Sequence, residues 1–147
     1  MLAETGLPAG RLELEITENF LLANAEAAMD TVAALSELGI RIAIDDFGTG
    51  YSSLSYLKYL RADRLKIDRG FVRDLPDDAD DAAITRSILG LARSLGFAVV
   101  AEGVETPAQE TFLRNEGCDD AQGYYYTEPL PPAELLAWLR LRAAVRP

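Results

Sequence analysis

The sequence predicts an α/β protein built on a parallel sheet. Short apolar or alternating stretches recur along the 147 residues, and each is followed by a segment with the three- and four-residue spacing of an amphipathic helix. Signals for the start and the end of a helix separate these segments. Because parallel neighbours need a crossover connection of about this length, the alternation indicates five strand-helix units in one sheet.

Five stretches are the strand candidates. The first, residues 11–17, alternates, with Leu14 and Ile16 on one face and Glu13 and Glu15 on the other. The other four are residues 40–47, 63–68, 97–103 and 120–126.

Helices are expected after each of these strands. Asn24 is the candidate N-cap of the first helix, which ends at Gly39. The remaining helices are a short one with Leu54, Leu57 and Leu60 on one side, one from the acidic run 77–81 to Gly96, one between Thr106 and Gly117, and one over residues 131–142 with Leu135, Trp138 and Leu139 as its apolar face.

Two architectures fit this order of elements: an open doubly wound sheet, and part of a closed (β/α)₈ barrel. A complete barrel normally needs about 250 residues, so the chain is long enough for only part of one. In both architectures, functional groups gather beyond the carboxyl ends of the strands.

The composition excludes several kinds of function. The chain has no His, which removes Ser-His-Asp chemistry and His-ligated zinc. A net charge of −10 argues against binding of DNA or RNA. Cys118 has no partner for an internal disulfide, and no apolar run approaches a membrane span. We therefore expect a cytoplasmic protein without membrane contact, in which any catalysis relies on carboxylates.

Charged and polar side chains stand at the end of every predicted strand. Carboxylates gathered at one rim repel one another unless a divalent cation such as Mg²⁺, Mn²⁺ or Ca²⁺ holds them. Successive strand residues point to opposite faces, so two adjacent acids share a site only if the strand ends there. The lysine of this group is either a structural ion-pair partner or a cation that holds a water or a phosphoryl oxygen. In strand order the residues are Glu15 and Glu18, Asp45 and Asp46, Lys66 and Asp68, Glu102 and Glu105, and Gln122.

Five segments resemble the EAL domain family, bacterial phosphodiesterases that linearise cyclic di-GMP. They follow the order of the family, and the similarity runs from about Leu7 to Trp138. We therefore expect residues 1–147 to form a single partial EAL domain, its C-terminal portion. The segments are LELEITEN at 12–19, IAIDDFGTGYSSLSYLKYL at 42–60, DRLKIDRGFV at 63–72, VVAEGVET at 99–106 and QGYYYTEPL at 122–130.

The resemblance implies a (β/α)₈ TIM-like barrel, with about five of its strand-helix units in this chain. It also implies metal-dependent hydrolysis of cyclic di-GMP to linear pGpG, with two Mg²⁺ or Mn²⁺ ions, in bacterial signal transduction. By position in the motifs, it implies Glu15, Asp45, Asp46 and Glu102 as metal ligands, Lys66, Asp68 and Glu102 as catalytic residues, and Glu18, Glu105 and Gln122 as residues that support the loop or the pocket.

Two metal ligands of the family pattern are not found: the glutamate of the Glu-Ala-Leu segment and an asparagine on a later strand. We therefore expect feeble or no hydrolysis by this chain alone. The alternative is a non-catalytic module that binds cyclic di-GMP or a protein partner. The parent protein could carry an upstream sensory or GGDEF-type domain.

Five strands taken from an eight-stranded closure would also leave two unpaired edges and an open apolar interior. We therefore expect a homo-oligomer or an exchange of elements between copies. Glu128 would add negative charge near an anionic ligand if it faces the pocket.

Overall fold

The strands form one parallel sheet in which spatial order equals chain order. The computed structural model describes residues 2–23, 25–50 and 54–145. All neighbouring strands are parallel, and the order is β1-β2-β3-β4-β5. A doubly wound sheet reverses its order at a switch point, whereas a barrel wall does not, so the order selects the barrel alternative. The strands are β1 (Glu13–Thr17), β2 (Arg41–Phe47), β3 (Arg64–Ile67), β4 (Ala98–Ala101) and β5 (Asp120–Ala121).

The predicted alternation of strands and helices is confirmed, and several short helices add to it. These short helices, α1, α2, α5 and a single 3₁₀ turn, were not predicted, because fewer than two turns give too little periodicity to recognise. In chain order the helices are α1 (Leu2–Thr5), the 3₁₀ turn (Ala9–Arg11), α2 (Glu18–Ala23), α3 (Ala25–Glu37), α4 (Leu54–Leu57), α5 (Arg69–Val72), α6 (Ala79–Leu95), α7 (Pro107–Asn115) and α8 (Pro132–Val145).

The capping residues act as the sequence predicts. The Asp78 carboxylate accepts the N–H groups of Asp80 and Asp81 at the start of α6, and Gly96 ends that helix at φ 81°. Thr106 forms a capping box with Gln109 at the start of α7. The candidate cap Asn24 lies outside the described residues.

One face of the sheet packs against the helices and forms the apolar core. Ile42, Ile44, Leu65 and Ile67 on this face are fully buried, and each contributes roughly 1.5–3 kcal/mol through burial of its side chain. Val32 of α3 and Leu89 of α6 belong to the same core. The core thus fixes the strands from one side and leaves their other face for the site.

The uncovered face of the sheet is charged, so the expectation of an open apolar interior is wrong for the described residues. Residues two apart share a face of a strand, and Arg64 and Lys66 on this face of β3 form ion pairs with acids from other strands. Charged side chains therefore line this face of the sheet.

Two further expectations need correction at the C-terminal end. The fifth strand ends at Ala121 rather than at residue 126, because Gly123 has φ 154° and lies so close to Val104 that a Cβ would collide with its backbone. The tyrosines therefore lie in a turn. Of the expected apolar face of α8, Leu135 and Leu139 remain exposed. No helix in the described part of the chain is long and apolar enough to span a bilayer.

Candidate metal and catalytic site

Lys66 is the centre of the site. Its ammonium lies 2.7 Å from Glu102 Oε1, 2.8 Å from Glu15 Oε1 and 3.0 Å from Asp45 Oδ1. The residue is only 5% exposed. An ammonium group has three N–H donors, so these carboxylates, contributed by β1, β2 and the end of β4, satisfy all of them. Sequence reasoning placed all of these groups at one rim, and the structure brings them together.

The surroundings of Lys66 keep it charged. Burial lowers the pKa of its ammonium, but hydrogen bonds to Glu102, Glu15 and Asp45 raise it by more, so the net pKa is above the ordinary lysine value. The sequence left two roles open for Lys66, and its ion pair with Asp45 corresponds to the first of them, a structural ion-pair partner. Lys66 is therefore a fixed positive charge among acids.

Asp45 and Asp46 share the site for a reason other than the predicted one. The strand continues through both residues to Phe47. Asp46 has φ 53°, and the register between β2 and β3 shifts between Ile44 and Phe47. Such a bulge breaks the alternation of faces, so both carboxylates reach the same rim. The predicted strand, residues 40–47, is confirmed, but a bulge rather than an end of the strand lets the two acids share the site.

Asp45, Asp46 and Glu102 form a group with the chemistry of a divalent-cation site. One carboxylate oxygen from each residue lies within 4.8 Å of those of the other two. All three side chains are half-buried. Hard oxygen donors in this number suit Mg²⁺, Mn²⁺ or Ca²⁺. Glu15 lies next to this group through their common partner Lys66.

Gln122 and Glu18 hold neighbouring parts of the rim. The Gln122 side-chain amide donates to Glu102 Oε1 at 2.9 Å. Glu18 is completely buried at the start of α2, and its Oε2 accepts the N–H of Gly48 at 3.0 Å. That contact joins the end of β1 to the loop after Asp46. Residues 51–53, which follow this loop, lie outside the described residues.

Asp68 and Glu105 stand apart from the Lys66 cluster. Asp68 Oδ1 accepts the N–H of Gly70 at 2.8 Å and caps α5. Glu105 is exposed, and its backbone N–H donates to Gln109 Oε1 at 2.7 Å. Among the described contacts, neither carboxylate pairs with Lys66.

A cavity of about 490 Å³ opens beside the rim. Glu102, Glu105 and Gln122 are among the residues that line it. Glu128, which departs from the family pattern, also lines the cavity. Sequence reasoning missed Arg69, which lines the cavity as its basic residue; its position directly after the end of the third predicted strand was the signal that pointed to it.

The fold and the site together define a barrel-type α/β protein with an acidic rim at its strand ends. The family model for the EAL domain matches residues 1–129, and the chain belongs to this family. It is 48% identical over 139 residues to the cyclic di-GMP phosphodiesterase NbdA of Pseudomonas aeruginosa, covering 95% of this chain and 18% of NbdA.

Two solved structures extend the comparison. The phosphodiesterase MucR of Pseudomonas aeruginosa, in complex with c-di-GMP, superposes with a TM-score of 0.88 at 48% identity, over 91% of this chain and 54% of that one. BlrP1 of Klebsiella pneumoniae, in complex with manganese and c-di-GMP, superposes with a TM-score of 0.80 at 35% identity, over 87% of this chain and 33% of that one. The chain thus spans about half of the MucR structure and under a fifth of the length of NbdA. These neighbours confirm the TIM-like barrel family of the fold.

Proposed function

We propose that residues 1–147 form the C-terminal portion of a cyclic di-GMP phosphodiesterase domain. The complete domain hydrolyses a phosphodiester bond of cyclic di-GMP to give linear pGpG in bacterial second-messenger signalling. The observation that carries this proposal is the convergence of Glu15, Asp45 and Glu102 on one ammonium group at the carboxyl ends of the strands. The names of NbdA and MucR, both phosphodiesterases of this nucleotide, support it.

The residues that would hold divalent cations are Asp45, Asp46 and Glu102, with Glu15 beside them. Their donor atoms are all carboxylate oxygens, which fit Mg²⁺ or Mn²⁺. Bound cations would offset the charge of the phosphate and lower the pKa of a coordinated water. The manganese in the BlrP1 complex supports this choice.

Lys66, Glu102 and Asp68 are the proposed catalytic residues of this chain. If a bound cation takes over one of the carboxylates that now occupy the three N–H donors of Lys66, the freed donor would orient the attacking water, and Glu102, 2.7 Å from that ammonium, would accept the proton of the water. The water oxygen would bond to phosphorus while the bond to the ribose 3′ oxygen breaks, and that oxygen would take a proton from solvent to become a hydroxyl, which leaves a 5′-phosphate on the product. Asp68, two residues after Lys66, is proposed to act beside it.

Three other residues are proposed to keep this arrangement in place. Gln122 fixes the orientation of Glu102 through its amide. Glu18 holds the loop that follows Asp46. Glu105 lines the cavity and is proposed to support the pocket there.

We also propose that the chain acts in the cytoplasm and that its two edge strands, β1 and β5, associate with a second copy or exchange elements with it. Light scattering tests this, and a monodisperse monomer would contradict it. An upstream sensory or GGDEF-type domain is proposed for the parent protein, supported by the bifunctional description of MucR. The upstream coding sequence tests that proposal.

The central experiment measures products from cyclic di-GMP by ion-exchange chromatography, with Mg²⁺ or Mn²⁺. We expect pGpG from the parent protein and little or none from residues 1–147 alone. Asp45→Asn and Glu102→Gln abolish turnover, whereas the matched changes Asp74→Asn and Glu116→Gln, away from the site, leave it unchanged. Binding of cyclic di-GMP by the parent protein without turnover would favour the non-catalytic alternative and contradict the proposal.

A further inference from the structure

A second set of charges lies on the same face of the sheet, one side-chain layer below the site. Arg64 of β3 contacts both edge strands: its Nε lies 3.3 Å from Glu13 Oε2 of β1, and its Nη1 lies 2.8 Å from Asp120 Oδ2 of β5. The Arg64 side chain is 26% exposed, so it is partly shielded from solvent. We call Glu13, Arg64 and Asp120 the lower triad. The triad spans the whole width of the described sheet.

Each member of the lower triad precedes a member of the site by two residues. Glu13 precedes Glu15, Arg64 precedes Lys66, and Asp120 precedes Gln122. Residues two apart lie on the same face of a strand, and the two layers thus follow the same three strands. Contacts between Arg64 and the two edge strands therefore act on the same strands that carry Glu15, Lys66 and the residue before Gln122.

Two small neighbours make the reach of Arg64 possible. Ala43 of β2 and Ala98 of β4 pair with Arg64 in the register of the sheet, one on each side. Their side chains leave space for the guanidinium to pass over β2 and β4. The donors of a guanidinium are spread over a planar fork, so Nε and Nη1 of Arg64 reach carboxylates on opposite sides, whereas the donors of an ammonium all radiate from one nitrogen.

We propose that Arg64 is a positioning residue of the metal and catalytic site. Arg64 draws Glu13 and Asp120 together and thereby curves the sheet. This curvature brings the carboxylates of the site into contact with Lys66. The inference rests on the proposed function, because it concerns the position of the same acids. Its effect is geometric, so it requires the fork of Arg64 and not only its charge.

Arg64→Lys tests this inference because the substitution keeps the charge and removes the fork. The first measurement is the ¹⁵N resonance of the Lys66 ammonium in the 147-residue chain, which three hydrogen bonds protect from exchange with water. We expect this resonance to shift or broaden in Arg64→Lys. The second is the affinity for Mn²⁺, which we expect to fall about tenfold, as for other residues that support metal ligands.

The matched control is Arg86→Lys, which alters an ion pair of similar length, 2.9 Å to Glu116, on the helical surface. It should change neither measurement. If Arg64→Lys does not fold, Glu13→Ala and Asp120→Ala each remove one arm of the triad and should each alter the Lys66 resonance.

If Arg64 served only stability, Arg64→Lys would lower the melting temperature and leave the Lys66 resonance and the Mn²⁺ affinity of the folded protein unchanged. That result would overturn the proposal. Absence of Mn²⁺ binding by the unsubstituted chain would instead contradict the proposed metal site, while the Lys66 resonance would still decide the role of Arg64.

Discussion

Replacement of Lys66 by Met should destabilise the chain strongly, because it leaves carboxylates together without their counter-charge. The Lys66 side chain is 7% exposed, whereas those of Glu15, Asp45 and Glu102 are 49%, 20% and 18% exposed. Removing one partner of a buried ion pair costs about 3–5 kcal/mol. Because water can reach Glu15, we expect the lower end, about 3 kcal/mol. For a domain of this size, that corresponds to a fall in melting temperature of about 6–12 °C.

Urea denaturation followed by circular dichroism measures this change in the free energy of unfolding. The control is Lys58→Met, since Lys58 is exposed and lies 5.6 Å from the ring centre of Tyr59; its effect should stay within about 0.5 kcal/mol. Added Mn²⁺ should restore part of the stability lost in Lys66→Met, because it replaces the missing positive charge. Equal stability of the two variants, with no gain from Mn²⁺, would refute the reasoning.

Three further predictions concern single positions. Ala43→Leu should disrupt the contacts of both Lys66 and Arg64 with β1, because Ala43 is fully buried between these strands; the Lys66 ammonium resonance measures this, and an unchanged spectrum would contradict it. Asp68→Asn should leave the melting temperature nearly unchanged, because Asn caps a helix about as well as Asp, but should abolish hydrolysis by the parent protein; full activity would exclude Asp68 from catalysis. Burial raises the pKa of Cys118 to about 11, from 9.0, so at pH 8 its alkylation by iodoacetamide should be about a hundredfold slower than that of a free thiol and should accelerate as the pH rises toward 11; rapid alkylation of the folded chain at pH 8 would show that the thiol is not shielded.

The sequence predicted the elements whose signals are local. Asp78 and Thr106 begin their helices through hydrogen bonds within the first turn, so the residues alone reveal them. The gathering of Glu15, Asp45 and Glu102 around Lys66 followed from a general property of parallel sheets, that functional groups collect at the carboxyl ends.

Features that depend on contacts between distant segments were not predictable in the same way. The positive φ of Asp46 arises in a register shift against β3, and nothing in an Asp-Asp pair indicates it. The early end of β5 results from the close approach of Gly123 to the backbone of Val104. To predict the lower triad, the register between the strands must be known, and the sequence alone does not show it.

The order of the strands also bears on how the polypeptide acquires its structure. Among the described residues, each strand pairs with the strands that neighbour it along the chain, as Glu13 with Arg41 and Leu65 with Val99. In the described sheet, the contacts between strands therefore have a smaller separation along the sequence than in a sheet whose spatial order departs from chain order. During synthesis on the ribosome, each new strand-helix unit can dock onto the one that emerged before it.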